Sequence, residues 1–155
     1  MTYKLKFNKN FIYLLENDKT LLKSKSSGLL FHFNFCVQDK KNETILKYKY
    51  HTFLSYHNVK INDQKTKEQI ELIKNPTHFY TLRAGSKKYT IKDTKGFLKN
   101  NIANIFLEDV QIGHITYEYL KSPWEIKLIF NNDFEPDIYI LILSMIKFSH
   151  FNSES

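Results

Sequence analysis

Cys36 is the only cysteine of the chain, and there are six histidines. The first chemistry to weigh is therefore a thiolate attacking with His32, His51, His57, His78 or His114 as its base. Cys36 stands in a phenylalanine-rich stretch with Phe31, Phe33 and Phe35, where a free cysteine acts as a packing residue. His32 and Cys36 share a strand face but would lie about 13 Å apart along it, too far to hold one metal ion. No HExxH spacing occurs, so a zinc site of that type is not written. The carboxylates at Glu16/Asp18, Glu108/Asp109 and Asp133/Glu135/Asp137 are close neighbours in polar segments. Such neighbours read as turn punctuation and helix caps rather than as the paired acid and base of a hydrolase. The four glycines, Gly28, Gly85, Gly96 and Gly113, cannot spell a phosphate-cradling loop. The expectation is a non-enzymatic protein with no metal and no cofactor.

Binding chemistry is better represented. The net charge is +7, and Lys outnumbers Arg by 22 to 1. Met1 to Tyr50 carries 10 Lys against 4 acids, and His51 to Asn100 has 10 basic residues against 4. The balance reverses from Asn101 to Ser155, with 3 Lys against 8 acids. A basic first two-thirds can serve an anionic partner, or it can simply keep strand faces soluble. The scarcity of Arg argues against nucleic acid, whose base edges and phosphates are read by its bidentate fork. Two clusters are the candidate anion-binding residues. Lys47 and Lys49 share an outer strand face, and Arg83, Lys87 and Lys88 flank the Ala84-Gly85-Ser86 turn. Near an anionic lipid surface each such charge contributes about 1 kcal/mol. The competing reading is a solvated hairpin tip.

The elements that must position these residues are strands. Apolar and polar residues alternate through Leu29 to Gln38, Leu46 to His51, Lys88 to Lys92, His114 to Tyr119 and Glu125 to Phe130, the period of an antiparallel sheet with one buried face. Polar turns are expected at Asn17-Asp18-Lys19, Asp39 to Asn42, Asn62-Asp63-Gln64, Ala84-Gly85-Ser86 and Asp93 to Gly96. Ile138 to Phe148 is apolar throughout and follows cap-type residues and Pro136. It reads as a helix at about 137–149, apolar on all sides and hence buried on all sides. A strand is the alternative there, since its β-branched content also suits one. The chain is long enough for one domain, 1–155. It opens without a signal pattern, and no apolar run reaches the roughly 18 residues of a membrane span. A cytoplasmic location is expected, with peripheral attachment at a membrane.

A strand meander that ends in one wholly apolar helix resembles the tubby-like superfamily, which includes tubby C-terminal domains, phospholipid scramblases and LURP-one-related proteins. The residues that carry the resemblance are Gln111-Ile112-Gly113-His114-Ile115, Tyr117, Trp124 to Leu128, a short acidic turn and the Ile138 to Phe148 segment, with Lys88 to Asp93 upstream. It implies a mainly β fold, an antiparallel meander closed into a barrel around a hydrophobic C-terminal α-helix. An acid is common near the end of that helix in the family, and Lys147 stands there instead, against a metal-dependent scramblase role. No residue matches the tubby phosphoinositide site. The function so implied is peripheral binding to anionic lipid headgroups. The alternatives are an accessory or inhibitor protein that recognises an acidic partner, and a lipocalin-like carrier of a small apolar ligand. In the last case the final segment would be a strand.

Overall fold

The structure is a computed structural model and describes residues 1–53, 56–74, 79–94, 100–117 and 125–150. Twelve strands form one antiparallel meander: β1 (Thr2–Asn8), β2 (Phe11–Glu16), β3 (Lys19–Leu29), β4 (His32–Gln38), β5 (Thr44–Phe53), β6 (Tyr56–Gln64), β7 (Ile70–Lys74), β8 (Phe79–Ala84), β9 (Lys87–Asp93), β10 (Asn101–Leu107), β11 (Val110–Tyr117) and β12 (Glu125–Phe130). A single helix follows, α1 (Ile138–Lys147). The strand order is β6-β5-β4-β3-β2-β1-β12-β11-β10-β9-β8-β7. The first strand thus pairs with the last, and the one remaining seam falls mid-chain between β6 and β7. Across it the Gln64 carboxamide accepts from the Ile70 N–H at 2.6 Å and donates to the Ile70 carbonyl at 3.3 Å. A nearly closed barrel results, with two edge strands tied by a side chain rather than a ladder.

The buried strand faces (Leu5, Leu14, Phe35, Leu82, Ile91, Ile105 and Leu128 among them) all line the lumen, and Tyr139 to Lys147 of α1 is buried throughout. A lumen of twelve strands is too wide for side chains alone, so a helix apolar on every side is what it can accept. Burial of each large aliphatic side chain there stabilises the fold by about 1.5–3 kcal/mol. Asp137 is the N-cap of α1, accepting from the N–H groups of Tyr139 and Ile140 at 3.0 and 3.4 Å. The helix reading of the last segment therefore holds. The lipocalin-like alternative loses its premise, because its final strand is this helix. Gly113 is required by close approach: a Cβ there would stand 2.5 Å from the Ile129 carbonyl oxygen of the paired strand.

Two sequence expectations are corrected. Leu29 to Gln38 is not one strand, because the chain turns at Leu30 and Phe31 between β3 and β4. Asn62-Asp63-Gln64 is not a turn but the end of β6. There Lys47 opposes Asp63 and Tyr48 opposes Ile61, which leaves Asn62 as the extra residue of a β-bulge. Lys95 and Gly96 of one expected turn, Glu118 and Tyr119 of one alternating run, and Trp124 of the resemblance lie outside the described residues.

Candidate basic face and barrel ends

In a meander the turns alternate between the two ends of the barrel. The end where α1 begins, the cap end, holds the turns β2–β3, β4–β5, β8–β9 and β10–β11. The opposite tip end holds β1–β2 and β3–β4, and the start of β6.

At the cap end the charged and polar groups are matched. The Asp137 carboxylate, besides capping α1, accepts from the Tyr89 hydroxyl at 2.6 Å and from the Lys87 ammonium at 3.2 Å. Burial, then the Asp137 carboxylate, pushes the Tyr89 phenol up from its ordinary value. The Tyr139 hydroxyl accepts from the Glu68 N–H at 2.7 Å. The Glu108 carboxylate accepts from the Lys88 N–H at 2.9 Å, and Asp18 lies 3.4 Å from Lys4. Of the neighbouring carboxylates, Asp137 is thus a helix cap, and Glu108 and Asp18 tie strand residues.

The candidate residues Arg83, Lys87 and Lys88 do not converge as one patch. Arg83 and Lys88 are cross-strand partners, and Arg83 stands 4.0 Å from Glu71. Lys87, one residue before Lys88 and so on the opposite face, reaches Asp137 at 3.2 Å. Lys47 and Lys49 do share the outer face of β5, as their spacing indicates, and the fold gives them company. Lys25, Cys36, Lys47 and Asp63 follow one another across β3, β4, β5 and β6. One row nearer the tip end come Ser27, Asn34, Lys49 and Lys60, and then Leu29, His32, His51 and Asn58. Cys36 has Lys25 and Lys47 as cross-strand neighbours and its sulfur is 3.4 Å from the Thr44 hydroxyl, an arrangement without a base beside the thiol. The side chain of His57, and His78, lie outside the described residues. No three potential metal ligands gather among the described residues.

His32 and His51 meet edge to face, ring centroids 4.1 Å apart. With Asn34, Lys49, Asn58 and Lys60 they line a shallow cleft of about 270 Å³ floored by Phe33 and Tyr50. Among the described residues no carboxylate lies within ion-pair distance of Lys25, Lys47, Lys49 or Lys60.

Sequence reasoning had Lys47 and Lys49 but missed Lys25, Lys60, Asn34 and Asn58, which are distant in sequence. One countable signal bears on them. Residues 1–15, 19–38 and 44–62 contain no Asp or Glu. Glu16, Asp18, Asp39, Glu43 and Asp63 all fall toward the cap end of the first six strands. Comparison with protein-family models, with curated proteins and with solved structures finds no match to this chain.

Proposed function

We propose that the chain is a non-enzymatic module of tubby-like design that binds peripherally to anionic lipid headgroups through the outer face of β3 to β6. The observation that carries this reading is the segregation of charge. In the first six strands every carboxylate sits toward the cap end, with Asp63 in the row of Lys25 and Lys47, which leaves Lys9, Lys49 and Lys60 toward the tip end without one. Among the described residues, the carboxylates that the second half brings to the tip end, Asp93 and Glu125, each lie within 4.0 Å of a lysine. Lysine is a flexible point charge suited to a diffuse anionic surface rather than to bidentate recognition of one group. Three such charges near a membrane contribute roughly 1 kcal/mol each, screened by salt. The barrel around a C-terminal helix supports the tubby-like part of the reading. No helix of the described residues is long and apolar enough to cross a membrane.

The test is co-sedimentation with phosphatidylserine–phosphatidylcholine vesicles and with phosphatidylcholine vesicles, at low and physiological salt. Binding that needs the anionic lipid, weakens with salt and is lost in Lys49→Glu/Lys60→Glu is expected. Equal behaviour of the double variant and the parent overturns the choice of face. Absence of binding to either vesicle overturns the lipid reading.

A further inference from the structure

The turn between β3 and β4 presents three large apolar residues in succession. Leu29 is 83% exposed, Leu30 81% and Phe31 44%. Isolated exposed leucines are ordinary on a protein surface, but three at one hairpin tip on the tip end form a contiguous projection. Turns of this kind normally carry Gly, Asn or Asp, because the backbone must enter the left-handed region. Leu30 adopts that region, with φ +59°, where a leucine side chain is strained. Strain and exposure thus fall on one residue. The hairpin itself is firmly held, since the Phe31 carbonyl accepts from the Thr52 N–H at 2.9 Å and the Ser26 N–H donates to the Asn10 carbonyl at 2.8 Å. The projection is a two-residue hairpin turn, its strands paired up to Leu29 and His32.

Its surroundings indicate what it meets. Lys9 occupies the adjacent β1–β2 turn, and Lys49 and Lys60 stand on the strands behind it, with no carboxylate of the first six strands at that end. An apolar tip backed by cations matches the layering of an anionic bilayer, where hydrocarbon lies beneath negative headgroups. We infer that Leu29, Leu30 and Phe31 insert below the headgroups of an anionic membrane. This would set the barrel with its tip end, and hence the C-terminal end of α1, toward the lipid. The inference rests on the lipid-surface reading above and deepens it. Lysines supply the salt-sensitive attraction, and the tip supplies a salt-resistant component and a fixed orientation.

The experiment uses the full chain and phosphatidylserine–phosphatidylcholine vesicles. Leu30→Ser/Phe31→Ser should weaken binding about tenfold or more, as expected for losing two apolar contacts with hydrocarbon, and should abolish the part of binding that survives high salt. Because the tip is exposed, thermal unfolding of this variant should not become less cooperative. Independently, Leu30→Trp in a Trp124→Phe background should blue-shift on vesicle addition and be quenched by lipids brominated high on the acyl chain. Binding of the parent without quenching at position 30, and with unchanged affinity of the double serine variant, overturns insertion while leaving headgroup binding intact. Failure of the parent to bind any vesicle overturns both, and would direct attention to an acidic protein as the occupant of this face.

Discussion

In the first six strands the two ends of the barrel differ in how charged groups are partnered. At the cap end one carboxylate, Asp137, serves two helix N–H groups, a tyrosine hydroxyl and a lysine, and Glu68 and Glu108 bring further backbone groups into partnership. At the tip end of the first six strands Lys9, Lys49 and Lys60 have no carboxylate within ion-pair distance among the described residues, and Leu29, Leu30 and Phe31 are exposed. The first six strands therefore gather their carboxylates at one end and leave lysines without them at the other, while the second half pairs its tip-end Asp93 with Lys147 at 2.6 Å. Charge is informative only once its partners are known. Lys87, prominent in sequence, pairs with the helix cap Asp137, while Lys60, inconspicuous in sequence, has no carboxylate within ion-pair distance among the described residues.

The helix ties both ends together, so the largest effect is expected from breaking it at its middle. Leu143 is fully buried, and Leu143→Asp would place an unpaired carboxylate in the lumen at a cost of about 3–5 kcal/mol or more. That rivals the whole stability of an ordinary domain, about 5–15 kcal/mol, and circular dichroism should show a loosened or unfolded protein at room temperature. A variant that melts like the parent would be incompatible with a helix-filled barrel.

Asp137→Ala isolates the cap end. It removes an N-cap, about 1 kcal/mol, and strips the buried Tyr89 hydroxyl of its acceptor, about 1–3 kcal/mol; together about 2–3 kcal/mol is expected, since the terms share one residue. A pH signature accompanies it. Burial raises the phenols of Tyr89, Tyr48 and Tyr3, the last pushed up to about 12 with Glu16 beside it. A group whose folded value is raised contributes stability that is complete below its unfolded value, about 10 for tyrosine, and is lost as pH rises toward the folded value. The parent's melting temperature should therefore fall from about pH 10 upward, and less steeply in Asp137→Ala. Equal slopes would show that Asp137 does not bear on Tyr89. Vesicle binding, a property of the other end, should be the same in variant and parent at neutral pH.

The smallest effect sharpens the contrast most. Leu30→Asn places at φ +59° a residue that tolerates the left-handed region, and should raise stability by up to about 1 kcal/mol while weakening vesicle binding. Stability and binding moving in opposite directions at one residue would mark the strain as maintained for function. If both fell together, the tip would be part of the folding core instead.

Much of the architecture is legible in the residues because alternation and an uninterrupted apolar run admit few structures. Leu46 to His51 and Glu125 to Phe130 can bury one face only as strands. The turns at Asn17-Asp18 and Gly85-Ser86 are readable because their residue types accept positive φ. The β3–β4 turn was hidden for the complementary reason. Leu30 and Phe31 continue the apolar pattern through the point where the chain reverses, and no local preference marks the break. Asn62 misled in the other direction, since a bulge takes the same polar residues as a turn.

The chain by itself determined that it is an antiparallel β protein with a buried terminal helix and a basic first two-thirds, because periodicity, apolar content and charge are properties of consecutive residues. Only the tertiary structure decided which of those charges are free. Register across β3 to β6 brings Lys25, Asn34, Lys49, Asn58 and Lys60 onto one face, and the return of the helix through the lumen carries Asp137 to Lys87 and Tyr89. Partnership between residues 48 or 50 positions apart is fixed by how strands pair and how a helix fills a barrel, and neither distance is written in the local order of residues.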